Sequence, residues 1–492
     1  MAAAGLDVVE AEDQLCAQLL PSEPLLLVLS FLGYRDLISC RSVCRRFHQL
    51  CSHDPLWKRH CKRYWLLSEG DKAKWNIGWM ELFRQFYCDL GRYIDHYAEQ
   101  KRAWEDLKEY LGRMCPRMIA SLNAGITEEE LDAVEKRIHF KIPNDYRCSL
   151  RIHNGQRLVV PGLMGSMALS SHYRSEDLLD IDTAAGGFQQ RKGLKHCLPL
   201  TFCIHTGLSQ YMALDEVEGR KPYDIFYHCV DQMASDPSVV DMFITGSSFT
   251  EWFTTFVFNV TSGRYPIIRD QIFRYVHDER CVARTGDIII SVSTSFLPEL
   301  SSVHPPHYFY SYRIRVSCAM DNIRQKENTY KKEKKPWGEI QRTKDDKANS
   351  WKIADVTRVF KKEDKGKPGN SRPLWITVSL SLSVFIQGEF PVLRPGTVHE
   401  YTSCTTFTTP SGYMEGYYTF HQLSKHKNTF NVAIPRFYMV CPPFRGSTAR
   451  QNRSNLDPSN GDDIPPPDRN NLRNPNMFVN FPPPLGRCPR HT

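Results

Sequence analysis

The apolar residues of this chain change their period along its length, and that change limits what it can fold into. Up to residue 154 they recur at helical spacing. Between Leu158 and Ser262 they shorten into strand-length runs separated by Gly, Pro, Asp and Ser, and beyond Tyr265 they alternate at period two. A 3.6 period puts one stripe of a helix against a core, and a period of two does the same for one face of a strand. The chain therefore reads as helices first, a mixed α+β body next and a β body last. At 492 residues it is longer than one core supports, so a multidomain α+β protein is expected.

Leu25, Val28, Leu29 and Leu32 follow Ser22, a capping residue type, with Pro24 tolerated in the first turn and Gly33 as the stop. A second helix is expected from Asp36, carrying Leu37, Cys40, Val43, Cys44 and Phe47. Asp54-Pro55 precedes a third with Leu56, Trp57 and Cys61. These three helices define a unit over 18–65, and the aromatic-rich stretch 66–117 reads as a helical connector ending at Cys115-Pro116. Thr127 and Glu130 form a capping-box pattern ahead of Leu131, Val134 and Ile138. Ile142-Pro-Asn-Asp-Tyr146 turns into another helix closed by Asn154-Gly155, and a late helix is expected over Phe249 to Val260, which bounds an α+β domain at 118–262. Asp287 to Thr294, Tyr308 to Val316, Tyr413 to Phe420 and Thr429 to Ile434 read as strands of a sandwich spanning 278–445. Residues 1–17 and the Pro-, Asn- and Arg-rich 446–492 are expected to be disordered.

The net charge of +8 raises nucleic acid as a partner, but residues 321–372 hold sixteen Lys/Arg against nine Asp/Glu, a surplus of seven in one segment. A phosphate-tracking protein spreads its basic residues over a folded face with aromatics among them, so no nucleic-acid role is expected. Acidic residues at 7, 10, 12 and 13 are unlike a secretory leader, and the apolar stretches Leu25 to Leu29 and Leu374 to Ile386 are too short or too interrupted to span a bilayer. An intracellular protein of cytoplasm and nucleus, without a membrane partner, is expected. The sixteen cysteines then read as free thiols. Cys40, Cys44 and His48, near His53, His60 and Cys61, suggest a zinc site, but paired C-x-x-C spacing is absent, so neither metal nor cofactor is expected.

Leu20-Pro-Ser-Glu-Pro-Leu-Leu-Leu-Val-Leu-Ser-Phe-Leu32, Asp36-Leu37, Val43-Cys-Arg-Arg-Phe47 and Asp54-Pro-Leu-Trp57, in that order and spacing, resemble an F-box. The resemblance implies that the unit docks on a Skp-type adaptor and through it reaches cullin and RING subunits. A unit of about forty-five residues buries too little surface to be stable alone, so an apolar face that wants a partner is expected. Leu20, Pro21, Leu25, Leu29, Leu37, Val43 and Cys44 are the candidate adaptor-binding residues, some of which must instead fill the unit's interior. Thr127 to Ile138, Ile142 to Tyr146 and Asn154-Gly155 make 118–260 similar to a yeast cell-wall assembly regulator and to bacterial immunity proteins, which implies a protein-binding module without catalytic residues. Tyr308 to Val316, Pro395-Gly396, Tyr401 to Phe407, Pro410 to Tyr417 and Phe430 to Phe437 resemble an ApaG domain, which implies a fibronectin-III-like sandwich.

The glycine-rich loop usual in ApaG domains is reduced here to Gly388-Glu389, so a phosphate-binding role does not carry over. The stretch before it, within 321–387, has two readings: a basic loop ending in a strand, or retained intron sequence or a gene-model error. The expected function is that of a substrate-recognition subunit of an SCF-type ubiquitin ligase, which commits bound proteins to degradation. Tyr413, Tyr417 and Tyr418 are its candidate substrate-binding residues. Two alternatives stay open: a nucleotide-binding ApaG protein and a scaffold outside any ligase. His399, Glu400 and Glu415 lie near the ApaG signature, but no hydrolase, P-loop or zinc-protease motif accompanies them, so no catalysis is expected.

Overall fold

The computed structural model describes residues 20–158, 161–166, 175–188, 194–216, 221–230, 240–318, 351–362, 376–378, 392–394, 396–422 and 425–445. The amino-terminal unit consists of α1 (Ser22–Leu29), α2 (Tyr34–Arg41), α3 (Arg45–Cys51) and α4 (Asp54–Trp65). The single second helix expected from the apolar spacing is thus two. Cys44 is extended at φ −156° and ψ 170°, and its Sγ accepts the Phe47 amide as the cap of α3. Ser22 is the first residue of α1 and makes no side-chain cap.

This unit does not close on itself. Leu25, Leu29, Tyr34, Leu37, Leu56, Trp57 and Trp65 share one core with Trp79, Leu82 and Phe83 of α6 (Trp79–Leu90), which follows the short α5 (Glu69–Trp75). The expected connector is therefore two things. Its first part completes the core of the amino-terminal helices. Its last helix, α7 (Tyr97–Met114), starts in that core at Tyr97 and ends in the next one, where Trp104, Leu107 and Leu111 meet Leu131, Val134 and Phe253.

The central body holds α8 (Pro116–Ile119), α9 (Glu128–Ile138), α10 (Asn144–Ile152), α11 (Ile181–Gly187) and α12 (Phe249–Thr261). The capping box forms as expected: Thr127 accepts the Glu130 amide and Glu130 accepts the Thr127 amide. Gly155 lies at φ +61°, and a Cβ there would come within 2.3 Å of the Leu179 carbonyl, which is why Asn154 is followed by glycine. Arg147, fully buried on α10, lies 2.8 Å from Asp132 and 2.8 Å from Glu135, and its Nε donates to Tyr93 Oη at 3.0 Å. Tyr93 belongs to the amino-terminal core, so this buried cluster ties the two bodies together.

Among the described residues six short strands cross the central body: β1 (Asp177–Leu178), β2 (Cys197–Pro199), β3 (Thr201–Phe202), β4 (Gln210–Ala213), β5 (Ile225–Val230) and β6 (Val240–Gly246). After the hairpin β7 (Ile267–Ile268) and β8 (Gln271–Ile272) comes the sandwich. One sheet has the order β15 (Val398–Phe407), β11 (Tyr308–Cys318), β10 (Ile288–Phe296), β9 (Val276–Thr285). The other runs β13 (Ile376–Val378), β12 (Trp351–Lys362), β16 (Ser411–Gln422), β17 (Lys425–Val440), with β14 (Val392–Leu393) also on β12. Ile290, Val292, Ile314 and Val316 from the first sheet meet Tyr418, Phe420, Val432 and Phe437 from the second. The strand Trp351–Lys362 falls inside 321–387, yet it pairs with β16 from Trp351↔Gln422 to Lys362↔Gly412, so this stretch belongs to the sheet. The rest of that segment other than Ile376–Val378, and Gly388-Glu389 after it, lie outside the described residues, as do the two expected disordered ends.

The last strand, β18 (Phe444–Arg445), leaves the sandwich and joins the central sheet, whose order is β18-β6-β5-β4-β2. Tyr227, Cys229 and Phe243 of that sheet lie in the sandwich core, with Phe243 edge-on to Phe296 at 4.8 Å. All described residues lie in one compact unit, Met1–Ser447.

Candidate protein-docking faces

Because α1 is apolar around its whole circumference, it has two sides to bury. Leu25 and Leu29 are lost to the interior, together with Leu37 of α2. These three expected adaptor contacts are core residues. Leu20, Pro21 and Val43 are exposed, Val43 at 71%, and Cys44 is half-buried with its sulfur engaged in the α3 cap. The opposite side of α1 carries Leu27, Val28 and, just beyond its end, Phe31 at 76% exposure, while Ile38 is exposed on α2. The sequence reading passed over most of these residues, although continuous apolar character in Leu25 to Leu29 was their signal. Six of the twenty-one exposed large apolar side chains among the described residues fall within residues 20–43, a density that isolated surface leucines do not reach.

Around this face the chemistry is basic: residues 20–65 contain eight Lys/Arg and three Asp/Glu. Two of its thiols are inert. Burial pushes Cys51 up to about 11 and Cys61 up to about 12, so both stay protonated near neutrality. Burial also pulls His60 down to about 4, assisted by Arg59 and Arg63, which keeps its imidazole neutral among Trp57, Tyr64 and Phe83. Among the described residues no group of three His, Cys, Asp or Glu side chains is placed to hold a metal ion.

On the sandwich the three candidate tyrosines separate. Tyr418 is 0% exposed, with its hydroxyl against that of Tyr401, and offers nothing to a partner. This corrects the expectation that it contributes to a recognition surface. Tyr413 is mostly covered, since the Arg436 guanidinium stacks 4.4 Å from its ring centroid and Tyr438 lies 6.0 Å away. Tyr417 is exposed, as are Tyr438 and Val440 on the next strand. The polar residues near the ApaG signature are already engaged: Glu415 with Arg436 at 3.0 Å, and Glu400 with Arg313 and Arg315. Burial lowers the His399 pKa. No nucleophile with an adjacent base is formed by these residues.

The central body offers a cleft of about 370 Å³ between α7 and the loop before α9, lined by Lys101, Trp104, Lys108, Arg151 and His153. Its charges are largely paired, Arg151 with Asp89 and Lys101 with Glu105, and His153 Nδ1 is held by the Asn123 carbonyl at 2.9 Å. The motif residues of this body are structural: Asp145 accepts the Thr250 amide at 3.0 Å and Asn154 accepts the Ile181 amide at 2.9 Å.

Comparison with known proteins agrees with this division. An F-box-like family profile matches residues 17–63, the SMI1/KNR4 family (SUKH-1) matches 125–255, and the ApaG domain matches 384–422. A bacterial Protein ApaG from Beijerinckia indica is 30% identical over 158 residues, covering 32% of this chain and 91% of its own length. F-box protein SKIP16 of Arabidopsis thaliana is 22% identical over 482 residues, 85% of this chain and 97% of that protein. Human F-box only protein 3 is 60% identical over 431 residues, 88% of this chain and 84% of the human protein. Identity at that level across most of both chains, with the three domain families in register with the three bodies of the fold, means that this chain belongs to the F-box only protein 3 family.

Proposed function

We propose that this protein is the substrate-recognition subunit of an SCF-type ubiquitin ligase and performs no bond chemistry itself. The observation that carries this reading is the set of exposed apolar residues on and beside α1 and α2, Leu27, Val28, Phe31, Ile38 and Val43, on a module whose Leu25, Leu29 and Leu37 already share a core with α6. Apolar area of this kind is stabilised by burial at about 25 cal/mol per Å², and a helical adaptor with an acidic rim matches the basic surround. Leu20, Pro21, Val43 and Cys44 remain adaptor contacts in this reading. Leu25, Leu29 and Leu37 act only by holding the face in place. Target proteins are held by the central body and the sandwich, with Tyr417 and the rim of Tyr413 on the outer surface.

Reconstitution with a purified Skp-type adaptor and a cullin–RING pair tests the reading. A stable complex containing all four chains is expected. Adaptor binding that excludes cullin would instead support a scaffold outside any ligase, and no adaptor binding would remove the receptor role altogether.

A further inference from the structure

The outer edge of β6 is occupied by the chain's own last described residues. The strand leaves the sandwich at Cys441, whose amide donates to the Pro410 carbonyl at 2.8 Å. The Ile244 amide of β6 then donates to the Pro443 carbonyl at 2.7 Å, and Phe444 and Arg445 pair with Phe243 and Met242. Two side chains distinguish the segment. The Phe444 ring lies 6.4 Å from Phe243 and 6.1 Å from Tyr308, and the Arg445 guanidinium pairs with Asp224, a carboxylate only 4% exposed.

The hold is thin for what it covers. Among the described residues two pair along a strand of seven, and Phe444 is still 38% exposed. A ladder this short with its ring partly in solvent opens locally, well below the cost of global unfolding. Opening leaves unpaired strand-edge amides and carbonyls beside a buried carboxylate that has lost its cation. Both are satisfied again by any extended segment with the same pattern, and a segment longer than two residues pairs with more of β6.

We propose that the β6 edge is a docking site for an extended segment of another protein that presents an aromatic residue followed by an arginine, and that residues 443–445 fill it in cis as a displaceable clip. The buried Asp224 sets the charge of the occupant: a cationic side chain is accepted there and an acidic one refused. The proposal deepens the receptor reading, on which it rests for the meaning of the captured segment; the docking chemistry itself does not depend on the adaptor.

The test uses the full chain and a labelled peptide copying residues 440–446. The double variant Phe444→Ala, Arg445→Ala is expected to bind this peptide at least tenfold more tightly than the wild type, and to lose it when the peptide's arginine is replaced by glutamate. A double variant that keeps the wild-type circular dichroism but binds no more peptide than the wild type overturns the proposal. Hydrogen exchange in the wild type gives a check that needs no variant: the Ile244 amide is expected to exchange at least a hundredfold faster than the amides of the β5–β6 ladder, whereas exchange at the rate of global unfolding rules out a displaceable clip. Adaptor binding by the same wild-type sample is measured alongside. Its absence with the peptide result intact removes the receptor reading and leaves the docking site standing.

Discussion

Tyr417 and Tyr418 are adjacent in the sequence and point to opposite sides of the sandwich, so they separate packing from recognition at single-residue resolution. Tyr418→Ala removes a fully buried ring and should cost about 3–5 kcal/mol of stability. Tyr417→Ala changes an exposed side chain and should stay within about 0.5 kcal/mol. Urea unfolding of both variants checks this, and equal losses would contradict the assigned faces. The period of two already put Tyr413 and Tyr417 on one face and Tyr418 on the other, so the three could not have lined one surface. What the alternation left open was which face looks inward, since both carry aromatics; the opposing sheet decides that. His60 provides a second test at this scale. Its folded value near 4 lies below the unfolded 6.5, so the unfolded chain binds the proton first. The stability tied to its neutral ring is fully present above about pH 6.5 and is lost as pH falls toward about 4. Melting of a His60→Phe variant should show a weaker acid dependence than the wild type over that window.

Helix α10 shows what one element carries for its neighbours. Its Arg147, itself fully buried, meets the buried Glu135 and the half-exposed Asp132 of α9 and Tyr93 from the amino-terminal core. Arg147→Met should take the guanidinium from the buried Glu135 and cost about 3–5 kcal/mol, measured by thermal unfolding of the full chain. A loss below about 1 kcal/mol would mean that the cluster does not hold the two bodies together. Nothing in the sequence pointed to this cluster, because Arg147 and Tyr93 are 54 positions apart and a buried arginine looks like any polar residue on a helix. The capping box at Thr127 was legible because its partners lie three residues apart. The break between α2 and α3 was not legible. Leu37, Cys40, Val43, Cys44 and Phe47 keep helical spacing straight through it, and only the extended backbone at Cys44 marks the interruption. Strand β9 was missed for a related reason: Cys281 is its only buried residue, so it has no alternation to read.

At the scale of the molecule, the helical unit keeps a cluster of exposed apolar residues over 20–43, while most of the described apolar residues are drawn into cores, two of which are shared between bodies. The order of the bodies was legible because each has its own apolar period. Their joints were not, because α7, Arg147 and β18 join residues distant in sequence. The central claim is that the outward side of α1 and α2 is the adaptor contact, and one measurement addresses it most directly. The affinity of a purified Skp-type adaptor is compared for the wild type and the double variant Val28→Asp, Ile38→Asp, both positions being exposed in the free chain. The account predicts at least a hundredfold weaker binding, about 2.7 kcal/mol, with an unchanged melting temperature. Wild-type affinity in a fully folded double variant would contradict it.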